Sequence, residues 1–147
     1  MQNLSFRFFL LPSPLWQPAI GLRYEVFVVE QKVPEELEID ALDDTAHHLL
    51  VQDGDQNCVG VMRIVIKGNV GKIGRVAVAR EYRRQGVGAE MMEKALAYCR
   101  SLKLASVSLD SQSYITAFYE RLGFIREGDE FMDAGIPHVH MSLALAP

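Results

Sequence analysis

The chain has 147 residues, 49% hydrophobic and 23% charged, and its 15 Lys+Arg against 19 Asp+Glu give a formal net charge of −4. That length suits one domain, residues 1–147, with a full hydrophobic core, and excludes a second of ordinary size. The acidic balance argues against nucleic acid as a partner, and no apolar run reaches the ~18 residues of a membrane span.

LSFRFFLL, residues 4–11, reads as a strand ended by Pro12-Ser13-Pro14. Too short to cross a membrane and starting at once as a strand, this N-terminus does not read as a signal segment. Cys58 and Cys99 lie far apart without CxxC spacing and read as core thiols of a reducing, cytoplasmic compartment. Pro18 marks a helix start, and AIGLRYEVFVVEQ, residues 19–31, continues it. KVPEELEIDALDDTA, residues 32–46, is acidic and irregular, with one helical turn. Residues 47–68 form a hairpin around DGDQN, and NVGKIGRVAVA, residues 69–79, is the next strand.

After Gly86 comes the best helical pattern. Val87, Met91 or Met92, Ala95, Cys99 and Leu102 share a face, and Glu90 precedes Lys94 by four. LASVSLDS, residues 104–111, is a short strand. SYITAFYERLGF, residues 113–124, is a helix with Ile115, Phe118 and Leu122 on one face and Gly123 just past its end. IREGDEF and HVHMSLAL close the chain as strands. The order β-α-β-β-β-α-β-α-β-β predicts the α/β (α+β) class, with one mixed sheet flanked by helices.

The turn EYRRQGVG, residues 81–88, is the first candidate site. A helix N-terminus exposes unpaired N–H groups and carries about half a positive charge, and glycine lets the backbone approach an anion. Arg75, Arg80, Arg83 and Arg84 surround it, against Glu81 alone. A phosphate or pyrophosphate fits such a turn; a tight turn with solvated arginines is the alternative. The P-loop is excluded because no Gly-Lys-Ser/Thr is present, and a single Gly-x-Gly is not the Rossmann fingerprint.

GRVAVAREYRRQGVGAEMMEKAL resembles motif A of the GNAT superfamily of acetyl-CoA-dependent N-acyltransferases, where a strand is followed by R/Q-x-x-G-x-G/A and a long helix. The match here is Arg83, Gly86 and Gly88. QSYITAFYERLGF resembles the family's second signature through Tyr119, Gly123 and Phe124, with Gln112 where many relatives have Asn. LRYEVFVVEQ, the acidic loop with HHLL, and GIPHVHM look like the ElaA-like branch, and GIPHVHM is also similar to glyphosate N-acetyltransferase-like members.

The resemblance implies a mixed, mostly antiparallel central sheet and transfer of the acetyl group of acetyl-CoA to an amine. It implies pyrophosphate binding by Arg83, Arg84, Gln85, Gly86, Val87, Gly88 and Ala89, and pantetheine binding by Val76, Ala77 and Val78, with Gln112 a further coenzyme contact. Such a backbone N–H would also polarise the thioester carbonyl. Tyr119 is implied as the general acid, since a phenol keeps its proton at neutral pH. His138 is implied as the base, and His140 shares its face in a regular strand. Glu25 and Glu30 are rival bases. Arg23, Arg75 and Glu30 are expected at the acceptor site, where an arginine would grip a carboxylate; pairing with Asp40, Asp43 or Asp44 is the alternative. His47 and His48 are expected to be structural.

The acidic loop is expected to cover the acceptor mouth. It lacks the ligand order of an EF-hand, and no metal is proposed. Partners are then a small-molecule or protein amine and a possible homodimer, with no nucleic acid and no membrane. A non-catalytic acetyl-CoA-binding sensor or interaction domain is the second reading, and a nucleotide-binding protein using the same turn is the third.

Overall fold

In the computed structural model, which describes residues 3–145, strand β2 (His47–Gln52) is shielded on both faces. Alternation sends Leu49 and Val51 to one side and Leu50 to the other. Leu49 and Val51 join a core with Ile64, Ile73, Val107 and Leu109, against Met91, Met92 and Ala95. Leu50 joins Val61 and Ala77 against Ala19, Leu22 and Val26. This two-sided burial is why the segment reads as an unbroken apolar run.

The sheet has seven strands in the order β1-β2-β3-β4-β5-β7-β6. The others are β1 (Ser5–Phe9), β3 (Cys58–Lys67), β4 (Val70–Val78), β5 (Ser106–Gln112), β6 (Ile125–Asp133) and β7 (Ile136–Ala144). Every neighbouring pair is antiparallel except β4 with β5. Helix α1 (Trp16–Arg23) runs into a wider π-type segment, Tyr24–Glu30, and covers one face. The acidic loop contains a short helix α2 (Glu35–Glu38) and a 3₁₀ turn, Ala41–Asp44, closed by an Asp40–Asp43 capping box. Helix α3 (Val87–Ser101) covers the other face of the sheet.

Two expected helical faces differ. Leu102 lies past the end of α3 and is exposed. The last helix, α4, is only Thr116–Glu120, after a 3₁₀ turn over Ser113–Ile115. A 3₁₀ turn has about 3.0 residues per turn, so Ile115 falls out of phase with the α-helical residues beyond it. Ile115 is exposed, and Tyr119 is the buried residue of α4.

The feature that positions the site is a split in the sheet. β4 pairs with β5 only over Val70–Ile73 and Ser106–Leu109. Beyond that point β4 follows β3 as far as Val78, and β5 follows β7 as far as Gln112 opposite His138. A bulge bends β4 where the strands part, with Arg75 at φ +53°.

Candidate active site

The split opens into a cleft of about 1070 Å³. Val76, Val78 and Arg83 lie on its β4 side, and Ser111, Gln112, Tyr119 and His138 on its β5 side. The Ala79 N–H donates to Val59 O at 2.8 Å. Peptide groups alternate along a ladder, so Ala77 also faces β3, while the N–H and C=O groups of Val76 and Val78 face the opening. Arg83 Nε donates to Val78 O at 2.9 Å from that side. Apart from Val78 O, which Arg83 takes, these ladder groups have no partner on β5, and such an edge suits an extended amide chain.

At one end of the opening lies the turn into α3. Arg84 has φ +62° and Gly86 φ +85°, so the backbone passes twice through the left-handed region. No side chain caps α3, and the first N–H bonded within it is that of Glu90, to Gly86 O at 3.0 Å. The N–H groups of Val87, Gly88 and Ala89 are left for an anion. A Cβ on Gly86 would meet nothing within 4 Å, so the ground in front of this terminus is open.

Tyr119 is buried between Phe118 and Phe124, with ring centroids 4.9 and 6.0 Å away. Burial alone pushes its phenol up to about 12. The His138 ring is fixed by Nδ1 at 2.7 Å from Ile136 O. A carbonyl only accepts, so Nδ1 carries the proton and Nε2 of the neutral ring keeps its lone pair. Opposite Gln112 and Asp110 in the β5–β7 register stand His138 and His140, which share one face.

The sequence from residue 16 to 145 matches the family model for the GNAT acetyltransferase domain. The chain belongs to the GNAT acetyltransferase family. Among GNAT relatives, it is 37% identical to a Bacillus subtilis protein named uncharacterized N-acetyltransferase YjcF, over 84% of this chain and 88% of that one. The crystal structure of an acyl-CoA N-acyltransferase from Pseudomonas aeruginosa is similar at 32% identity, with TM-score 0.87 over 95% of this chain and 99% of that one. Escherichia coli ElaA is similar at 30% identity, with TM-score 0.86 over 95% and 99%, which agrees with the ElaA-like features of the sequence.

Set against the GNAT pattern, several expected site residues stand elsewhere. Arg23 is 2% exposed and does not reach the cleft. Its Nε meets Glu38 at 2.8 Å and its Nη1 meets Asp43 at 2.8 Å. The reading of Arg23 as an acceptor grip is corrected: this guanidinium is consumed by the acidic loop. Arg75 lines the cleft, but is tied to the carbonyls of Leu37 and Glu38 and to Asp40. Glu30 chelates Arg83 at 2.7 and 2.9 Å and touches Arg80 at 3.3 Å. Hydrogen bonding from Arg83 outweighs partial desolvation and holds its carboxyl at about 2. Glu30 thus lines the cleft with its carboxylate tied to the turn before α3. Glu25 is exposed and lies outside the main cleft. Ala77 turns its backbone to β3, where it pairs with Val61.

His47 and His48 are structural, as expected. His47 meets the Tyr98 hydroxyl at 2.6 Å, and buried His48 meets Asp43 O at 3.0 Å. Burial pushes the Cys58 and Cys99 thiols up to about 11, which suits unreactive core thiols. Sequence reasoning missed Asp110 and Lys72, which line the cleft and pair at 2.9 Å. The available signal was the strand period: Asp110 is two residues before Gln112 and shares its face.

Proposed function

We propose that this GNAT protein moves the acetyl group of acetyl-CoA to a primary amine by direct attack, with Tyr119 as acid and His138 as base. One arrangement supports the reading: the free ladder edge at Val76 and Val78, the Tyr119 phenol and the His138 imidazole border one cleft that reaches the Arg83 turn. The amides of Val87, Gly88 and Ala89, with Arg84 and Gln85 alongside, take the coenzyme's pyrophosphate. The ladder groups of Val76 and Val78 take its pantetheine amides, with Gln112 across the split. A ladder N–H also steadies the oxyanion that forms when the amine attacks.

The chemistry balances through two protons. His138 Nε2 removes the first from the acceptor ammonium, directly or through one water, and passes it to solvent. The freed nitrogen attacks the thioester carbon and the C–N bond forms. Tyr119 donates to the coenzyme sulfur as the C–S bond breaks. The nitrogen's second proton, made acidic by the new acyl group, restores the phenol. Amide and free coenzyme thiol are the products.

The test is calorimetric titration with acetyl-CoA, followed by an amine panel scored by thiol release. Micromolar binding and turnover are expected. Tyr119→Phe should keep coenzyme affinity and lower turnover at least about tenfold, the low side of general-acid effects. A wild-type protein that binds no acetyl-CoA defeats the proposal. Binding with unchanged turnover in Tyr119→Phe removes the tyrosine from its role.

A further inference from the structure

Lys72 and Asp110 form an ion pair at the apex of the split, and neither is used in the reaction above. Ile73 opposite Leu109 is the last paired position of β4 and β5. Asp110 is therefore the first residue of β5 on the open side. Lys72 starts opposite Ser108, two residues before Asp110, or roughly 7 Å back along the strand. To reach Asp110 its side chain runs forward along the sheet, and it presents its ammonium at the mouth of the split. Its Nζ is 2.9 Å from Asp110 Oδ2 while its side chain remains 52% exposed. His140 Nδ1 holds the other oxygen, Oδ1, at 2.7 Å, which leaves Oδ2 for a cation. Asp110 and His140 pair across the register next to Gln112 and His138. The ammonium is thus on the His138 face of the sheet.

We propose that Asp110, oriented by His140, is a docking site for an acceptor ammonium, that Lys72 occupies it in the free protein, and that Lys72 is consequently acetylated by its own active site. This rests on the acetyl-transfer reading above. The step is the same one. A proton leaves Nζ for His138, the Nζ–C bond forms, the thioester C–S bond breaks, and the sulfur takes its proton through Tyr119. The N-acetyl-lysine is neutral, so it releases Asp110, and the carboxylate becomes free for an external amine.

Lys67 is the internal control, since it lines the same cleft and has no carboxylate partner among the described residues. The whole protein is incubated with isotope-labelled acetyl-CoA, and each lysine peptide is followed by mass spectrometry. Lys72 should gain label at least about tenfold faster than Lys67, Lys32, Lys94 or Lys103, and Tyr119→Phe should slow Lys72 alone. Asp110→Asn should reduce Lys72 to the rate of Lys67. Should that variant misfold by circular dichroism, Lys72→Arg keeps the ion pair and should bring total incorporation down to the background of the other lysines. Equal labelling of Lys72 and Lys67 in a protein that binds acetyl-CoA overturns this inference and leaves the acetyl-transfer reading standing. A Lys72 lead that survives in Asp110→Asn overturns it in the same way. Absence of acetyl-CoA binding overturns both.

Discussion

The His138 tautomer is set by one carbonyl, Ile136 O, which accepts from Nδ1. The proposed base role predicts that His138→Gln lowers kcat/KM by about 10²-fold or more. Tyr119 behaves in the opposite sense. In the proposed acid role its phenol must be protonated, and burial pushes it up to about 12. No alkaline fall assignable to Tyr119 is expected below about pH 11 in stopped assays of the wild type. At the other end of the cleft, Ala89 is the third residue of the uncapped helix α3. Glutamate there suits the helix dipole by about 0.3–1 kcal/mol but competes with a diphosphate. Ala89→Glu should therefore keep or raise the melting temperature while weakening acetyl-CoA binding at least about tenfold by calorimetry, a combination that mere unfolding does not produce.

The acidic loop is the element whose role depends most on its neighbours. Asp40 and Asp43 take Arg63 at 2.7 and 3.0 Å, Glu38 and Asp43 take Arg23, and Glu38 and Asp40 take Arg75 at 3.3 Å each. Three arginines and three carboxylates are nearly matched, and the loop is pinned as one wall of the cleft. Removing Arg23 leaves three carboxylates to two arginines, with buried Asp43 held by Arg63 alone and buried Glu38 by Arg75 alone. Arg23→Met should cost about 3–5 kcal/mol in chemical denaturation, as for broken buried pairs. The π-type segment after α1 is joined to the turn before α3 by Glu30 and Arg83. Under the proposed function, a coenzyme diphosphate shares Arg83 with that carboxylate. Glu30→Gln should tighten acetyl-CoA binding by about twofold to fivefold at low salt, a typical worth for one partly exposed charge, and the gain should shrink as salt is added.

For the whole molecule, the buried ion network ties stability to pH. Burial pushes the Asp43 carboxyl up, but Arg23's hydrogen bonds and charge overcome this and hold it at about 2, against an ordinary 3.8. A depressed folded value means that this stabilisation is complete above 3.8 and is lost as pH falls toward 2. Asp40 shifts in the same direction through its bond to Arg63. Burial depresses His48 below its ordinary 6.5, so its share of the loss begins sooner, as the unfolded chain takes up a proton. Thermal melts should show a shallow decline below about pH 6.5 and a steep one below about pH 4. Asp43→Asn should lower the neutral melting temperature and flatten the steep part.

Every strand was visible in the sequence, and so was the turn at Gly86 with its helix, because their signals are local. Period-two alternation, a dihedral only glycine takes easily and a 3.6-residue face depend on few neighbours along the chain. The motif residues Arg83, Gly86, Gly88 and Tyr119 were legible through their resemblance to the GNAT signatures. Partnership was decided by tertiary structure. Arg23, Arg63 and Arg75 carry the same charge in the sequence, but the fold sends each to a different set of acidic-loop partners. Glu30 read as a rival base and an acceptor-site residue, and only the fold laid it against Arg83. Asp110 shared a strand face with Gln112, but its meaning comes from being the first residue past the last β4–β5 pair. Periodicity and turn chemistry are written in adjacent residues. The split, the ion pairs and the reach of Lys72 depend on where distant strands stop pairing, and only the closed sheet determines that.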